Sequence, residues 1–139
     1  MFLLDTDTLI YSLKGHCAVV ENFRIHADAP KAISVITYGE LLHGARKSQR
    51  VSQNLAKVQH LRELFPIIEV SCAVMETFGR IKAEIGREGI VVDDFDLIIG
   101  ATALQSGYCV VTNNVRHFDP IPGLSVVNWT DRQDEAGQD

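Results

Sequence analysis

Basic residues are in short supply. The 139-residue chain carries 13 Lys and Arg against 18 Asp and Glu, a formal charge of −5. Binding to a phosphate backbone draws on Lys and Arg, so this balance counts against a simple nucleic-acid-binding surface. It does not count against one whose carboxylates hold cations, because two divalent ions would bring −5 close to neutral. Long apolar runs are missing as well, and no stretch approaches the roughly eighteen residues that a membrane-spanning helix needs. The opening Met1-Phe2-Leu3-Leu4-Asp5 meets a carboxylate early and has no basic leader, so no signal peptide is expected. Cys17, Cys72 and Cys109 are odd in number, widely spaced and outside any CxxC pair. They are expected to be reduced, partly buried thiols of a cytoplasmic protein.

Several catalytic patterns are absent too. His16, His26, His43, His60 and His117 show neither HxxxH nor HExxH spacing, which excludes the usual helical zinc site. No Ser or Cys stands in a GxSxG-type nucleophile motif, and there is no glycine-rich phosphate loop. Repeats and low-complexity stretches are also lacking.

What is present is the composition of an ordinary globular domain, 46% apolar and 22% charged. Residues 1–130 are expected to form one domain, and 131–139 an acidic, flexible tail with almost nothing to bury. Short apolar runs, Phe2–Leu4, Ala32–Val35, Ile67–Val70, Cys109–Thr112 and Leu124–Asn128, read as five strands. Between them lie helical patterns. Thr8–Leu13 begins one, and Val19, Val20, Phe23 and Ala27 mark a second, closed by Pro30. Ser34 can cap a third running through Tyr38, Leu41, Leu42 and Ala45. Val51, Leu55, Val58, Leu61 and Leu64 stripe a fourth, stopped by Pro66. Ser71 can cap a fifth with Met75, Phe78, Ile81 and Ile85 on one face, ending at Gly86 and Gly89. Asp93 or Asp94 can cap Phe95–Ser106, which Gly107 ends. This alternation predicts an α/β fold of three layers, a mainly parallel five-stranded sheet with helices on both faces.

In such sheets ligands bind beyond the carboxyl ends of the strands. Asp5 and Asp7 follow the first strand, and Asn113 and Asn114 follow the fourth. Glu40 lies about a turn and a half into the helix after the second strand. Asp94 and Asp96 open the helix that feeds the fourth. Each has a plainer reading as a strand end, a solvated helix residue or an acidic helix start. Their shared position at one sheet edge is what those readings leave unexplained. Glu40 and Asp96 stand inside apolar runs, and two carboxylates about 4 Å apart repel by about 4 kcal/mol at an effective dielectric of 20. A hard divalent cation relieves that repulsion and takes such oxygen ligands. Arg46, Lys47 and Arg50 form a basic group at the end of the Glu40 helix. Arg116 and His117, just past Asn114, are better placed to touch phosphate.

Four segments occur in a telling order: Leu3-Leu4-Asp5-Thr6-Asp7, Glu40-Leu41-Leu42-His43-Gly44, Asp94-Phe95-Asp96-Leu97-Ile98-Ile99-Gly100-Ala101-Thr102-Ala103, and Val111-Thr112-Asn113-Asn114-Val115-Arg116-His117-Phe118. Together, from Met1 to about Trp129, they resemble the PIN-domain endoribonucleases of the VapC toxin type, from type II toxin–antitoxin systems. The resemblance implies a compact three-layer domain and Mg²⁺-dependent RNA cleavage, with Mn²⁺ as the alternative ion. It also implies a homodimer, inhibited by a small cognate antitoxin that occupies the active-site groove. By position it makes Asp5, Glu40 and Asp96 the metal-binding carboxylates, with Asn114 completing the catalytic set. Thr6, Asp7, Asp94, Thr112 and Asn113 become auxiliary, and Arg46, Arg116 and His117 contacts for RNA or antitoxin. Many PIN domains carry a fourth Asp where Asn114 stands, and Asn adds no charge to hold a second cation. Asp7 stands where many relatives have Asn and restores some charge, so the resemblance leaves the choice between one and two ions open.

Two other functions fit parts of the chain. Asp5-Thr6-Asp7-Thr8 followed by Val92-Asp93-Asp94 is similar to the motifs of haloacid-dehalogenase-type phosphatases, with Asp5 as nucleophile. The intervening Ser/Thr and Lys motifs of that fold are missing. The other alternative is a catalytically inactive partner-binding and co-repressor module, with Asn114 marking the lost activity.

Overall fold

The computed structural model describes residues 1–131, so all but the first residue of the expected tail lies outside the described residues. The elements run β1 (Phe2–Leu4), α1 (Thr6–Leu13), α2 (Cys17–Ile25), β2 (Lys31–Ser34), α3 (Val35–Arg46), α4 (Val51–Leu64), β3 (Ile67–Ile68), α5 (Cys72–Arg87), α6 (Asp94–Ser106), β4 (Cys109–Val111), α7 (Val115–Phe118) and β5 (Val126–Val127). The strands form one sheet in the order β3-β2-β1-β4-β5, and every pairing is parallel.

Strand alternation builds the three layers. Leu3, Ala32 and Val110 face one side, into a core with Val74, Ile81 and Ile85 of α5 and Leu97, Ile99 and Ala101 of α6. Leu4, Ile33 and Val111 face the other side, against Leu9, Val19, Leu41, Val58 and Leu61 of α1–α4. Trp129 closes this second core, stacked on His26 with ring centroids 5.2 Å apart. The expected α/β architecture with helices on both faces is what forms.

Element ends differ where a cap overrides a run of apolar residues. Ser34 accepts a hydrogen bond from the Ile36 amide at 3.1 Å, so Val35 begins α3 rather than ending β2. β3 and β5 are two residues each, shorter than the apolar runs around them. Val20, Leu64 and Met75, read as stripe residues, are exposed, and Val74 takes the buried place beside Met75. The short helix α7 was not expected. Cys17 and Cys72 are exposed rather than partly buried, because each opens a helix on the solvent side, and only Cys109 is half-buried. Among the described residues no helix is long and apolar enough to cross a membrane.

Candidate active site

β1 is the centre of the sheet, and the chain leaves it toward β2 on one side and returns as β4 on the other. That reversal of direction is where a doubly wound sheet opens a crevice at its carboxyl edge. Asp5 sits at the mouth. Its backbone amide continues the ladder to the Val111 carbonyl at 2.9 Å, and its carboxylate caps α1 by accepting from the Thr6 amide at 2.9 Å. Thr112, just past β4, donates its hydroxyl to the other Asp5 oxygen at 2.8 Å. The helix-cap reading of Asp5 is therefore correct and does not compete with a functional one.

Around this buried carboxylate lies a cleft of about 330 Å³ lined by Asp5, Thr6, Asp7, Ile10, Glu40, Asp93, Phe95, Asp96, Asn114 and His117. Glu40 arrives from the middle of α3 and accepts from the Thr6 hydroxyl at 3.0 Å. Asp96 comes from the first turn of α6, where the helix N-terminus favours negative charge. Its carboxylate stands 3.2 Å from His117 Nδ1. Asp7 is held by the Thr8 amide at 2.6 Å and the Asn113 amide at 2.9 Å. The Asn113 side-chain oxygen in turn accepts from the Thr130 hydroxyl at 2.9 Å, which ties this strand-end turn to the segment after β5.

The electrostatics follow from that packing. Burial, and then the Asp7 charge, push the Asp5 carboxyl up to about 7 against the lowering effect of the Thr112 and Thr6 hydrogen bonds. Burial also raises Glu40, opposed by the Thr6 bond and reinforced by the charges of Asp96, Asp93 and Asp7. Asp96 is raised by burial despite His117. The cleft lining holds no Lys or Arg. Carboxylates desolvated together with no Lys or Arg among them, and only His117 beside Asp96, suit a hard cation with oxygen ligands, so the donor chemistry fits a divalent ion. The carboxylates ring the cleft rather than converging, and among the described residues no three acidic or metal-ligating side chains form a ready-made cage.

The structure gathers Asp5, Thr6, Asp7, Glu40, Asp96, Asn114 and His117 at this cleft, with Thr112 and Asn113 directly behind. It does not gather Asp94, which turns away to pair with Lys82 at 2.8 Å. Arg46 and Arg116 are exposed and outside the lining. Asp93 takes the place expected of Asp94. Its side chain caps α6 by accepting from the Phe95 amide at 2.8 Å, and the N-cap signal in the sequence was the clue to it. Ile10 and Phe95, the apolar parts of the lining, had no signal beyond proximity to Asp7 and Asp96.

Residues 2–123 match the PIN domain. A tRNA(fMet)-specific endonuclease VapC from Shigella flexneri is 35% identical over 93% of this chain and 98% of its own. The DNA-bound VapBC structure from Salmonella typhimurium superposes with a TM-score of 0.84 at 35% identity, covering 92% of this chain and 97% of that one. VapBC2 from Rickettsia felis, bound to a DNA fragment from its promoter, superposes with a TM-score of 0.85 at 29% identity, covering 92% and 98%. With the PIN-domain match running through the acidic cleft, and near full-length likeness on both sides, the chain belongs to the PIN-domain family as a member of the VapC toxin type.

Proposed function

We propose that this protein is a Mg²⁺-dependent endoribonuclease, the toxin of a toxin–antitoxin pair, and that the acidic cleft is its active site. The observation that carries the reading is a cleft of carboxylates at the sheet's switch point with burial-raised pKa values and no Lys or Arg in its lining. Family membership implies a divalent-metal mechanism, and Asp5, Glu40 and Asp96 are the side chains that would hold the ion. Bound there, a divalent cation supplies Lewis acidity, neutralising charge that builds on the phosphate and making water more acidic.

The chain's own residues do the positioning. Thr112 and Thr6 fix the two oxygens of Asp5, and Thr6 also orients Glu40. Asn114 presents a neutral amide at the rim and donates its backbone N–H to Thr112 at 3.0 Å, which keeps that hydroxyl aimed at Asp5. Asp7 adds negative charge behind Asp5, and His117 stands ready beside Asp96 as a contact for substrate phosphate. Water is the nucleophile in this scheme and the 3′-oxygen is the leaving group, which takes up a proton, so products carry a 5′-phosphate and a 3′-hydroxyl. Residues 1–130 form the catalytic unit.

The Shigella relative's specificity makes tRNA the first substrate to try. The VapBC complex bound to promoter DNA and the Klebsiella toxin–antitoxin complex support an antitoxin as partner and promoter binding by the pair, and family membership implies a toxin homodimer. The test is cleavage of tRNA by purified, partner-free protein with Mg²⁺ and with EDTA. Cleavage with Mg²⁺ that is lost in EDTA, in Asp5→Ala and in Asp96→Asn is the expected result. An inactive wild type, or variants as active as wild type, would sink the reading. An aspartyl phosphate trapped on Asp5 would replace it with a phosphatase.

A further inference from the structure

We infer that RNA leaves the acidic cleft along a neighbouring groove, where Lys14 and Lys57 bind its backbone phosphates. The inference rests on the ribonuclease reading above and adds a path for the strand. The groove, about 300 Å³, adjoins the cleft directly, since Ile10 and Glu40 line both. Its floor is apolar, with Leu13, Leu41 and Val58, and its two ammonium groups come from different helices. Lys14 caps the end of α1, and Lys57 lies on α4.

The charge distribution points to a polyanion. Lys14 and Lys57 are exposed, and Arg46, Lys47 and Arg50 follow at the α3–α4 turn. These are five of the chain's 13 Lys and Arg residues. None of the five makes an ion pair among the described residues, whereas Arg24, Arg80 and Lys82 are each paired with a carboxylate. Nine described Lys and Arg side chains make no ion pair, and in a protein of net charge −5 these five of them lie on the groove or at the α3–α4 turn beside it. A strand whose reacting phosphate lies over the carboxylates and their cation places its flanking phosphates beyond Glu40. Lysines there offset the repulsion that the acidic cleft exerts on them, and the apolar floor accommodates ribose and base faces. An acidic peptide would also suit two lysines above an apolar floor. Continuity with the cleft through Glu40 is what favours RNA.

The test compares wild type with the Lys14→Ala/Lys57→Ala double variant, using a short RNA of about four nucleotides and a longer single strand of about sixteen. The double variant is expected to raise KM for the long strand about tenfold with kcat unchanged, and to leave the short RNA unaffected. The salt dependence of log KM for the long strand should fall by roughly 1.4, about 0.7 for each lost single-strand phosphate contact. Lys14→Arg/Lys57→Arg should restore both. An unchanged KM and salt slope overturns the proposed path. If the same variant instead weakens binding of a co-purified protein partner, the groove is a protein-docking site and the proposal is wrong. A wild type that cleaves neither RNA removes the ribonuclease reading itself, a different failure from a wild type that cleaves both with lysines that make no difference.

Discussion

Thr112 Oγ1 lies 2.8 Å from Asp5 Oδ2, one step past the Leu4–Val111 register pair, and Thr112 Oγ1 also accepts from the Asn114 amide at 3.0 Å. The hydroxyl has one proton to give, and Asp5 is its near acceptor, with Asp7 Oδ2 farther off at 3.5 Å. The Thr112→Val variant keeps the shape and removes the donor. Its Asp5 should titrate above the wild-type value of about 7, since a lowering interaction is lost. Mg²⁺ affinity should drop by about tenfold or more, as for other groups that orient a metal-binding carboxylate. Carboxyl NMR titration and isothermal calorimetry measure the two effects. An unmoved Asp5 would mean that Thr112 serves packing alone.

Asp5 binds its proton more tightly in the folded chain than in the unfolded one, with a pKa of about 7 against 3.8. Metal-free protein should therefore lose stability as pH rises from about 4 to about 7 and then level off, by roughly 4 kcal/mol from this group at most. Glu40 and Asp96, also raised, act in the same direction. Mg²⁺ competes with those protons, so its stabilising effect should grow over the same window. Thermal unfolding with Mg²⁺ or EDTA at pH 5 and pH 8 checks both signs. A Mg²⁺ shift that is larger at pH 5 contradicts the cleft's electrostatics.

Removing one charge from this cluster ought to stabilise the metal-free protein while ending its activity. In Asp96→Asn the repulsion felt by Glu40 is relieved, and the Asn side chain occupies nearly the same volume. Its unfolding midpoint in EDTA at pH 8 should lie above that of wild type. A lower midpoint would show that the 3.2 Å contact with His117 outweighs the carboxylate repulsion.

The parts of this site that the sequence revealed are those set by strand ends. Asp5, Thr112 and Asn114 follow apolar runs whose alternation fixes both sheet and edge, and parallel pairing brings the edges together. Glu40 was legible because a helix capped by Ser34 carries its sixth residue back over that edge. The choice between Asp93 and Asp94 was not legible. Adjacent positions at a helix start differ by about 100° around the axis. Which one faces the cleft depends on where the first turn begins, and the Asp93–Phe95 cap settles it. The Ile10 and Phe95 walls were hidden for a related reason. Phe95 is exposed at the start of a helix whose other apolar residues are buried or half-buried, and nothing local marks an apolar residue as lining rather than core.

That choice gives a direct comparison. Asp94→Asn should change RNA cleavage less than about threefold and stability by less than about 1 kcal/mol, since its pair with Lys82 is exposed on both sides. Asp93→Ala removes a helix cap as well as a charge at the cleft. It should destabilise α6 by about 1 kcal/mol and reduce cleavage more than Asp94→Asn does. Unfolding curves and initial rates on the two variants decide it. A larger loss in Asp94→Asn would place Asp94 in the mechanism after all.

The position of α6, which carries Asp96, depends on Gly100. A Cβ built there would stand 2.5 Å from Ile121 Cδ1 and 3.4 Å from Leu124 Cδ2. Helix propensity favours Ala over Gly by about 1 kcal/mol, so an uncrowded Gly100→Ala would be stabilising. Ile121 is only 2% exposed and packed within the first core, however, so its methyl cannot swing into solvent. Overpacking of that kind costs about 1–3 kcal/mol and should win. Gly100→Ala is therefore expected to be destabilised by about 1 kcal/mol or more. Ile121→Val removes the clashing carbon and alone costs about 1 kcal/mol for the lost methyl. In the double variant the two losses should not add, with a favourable coupling of about 1 kcal/mol or more in the mutant cycle. Additive losses would mean that α6 shifts away from Ile121 rather than pressing on it, and such a shift would move Asp96 and lower cleavage in Gly100→Ala beyond what its stability explains.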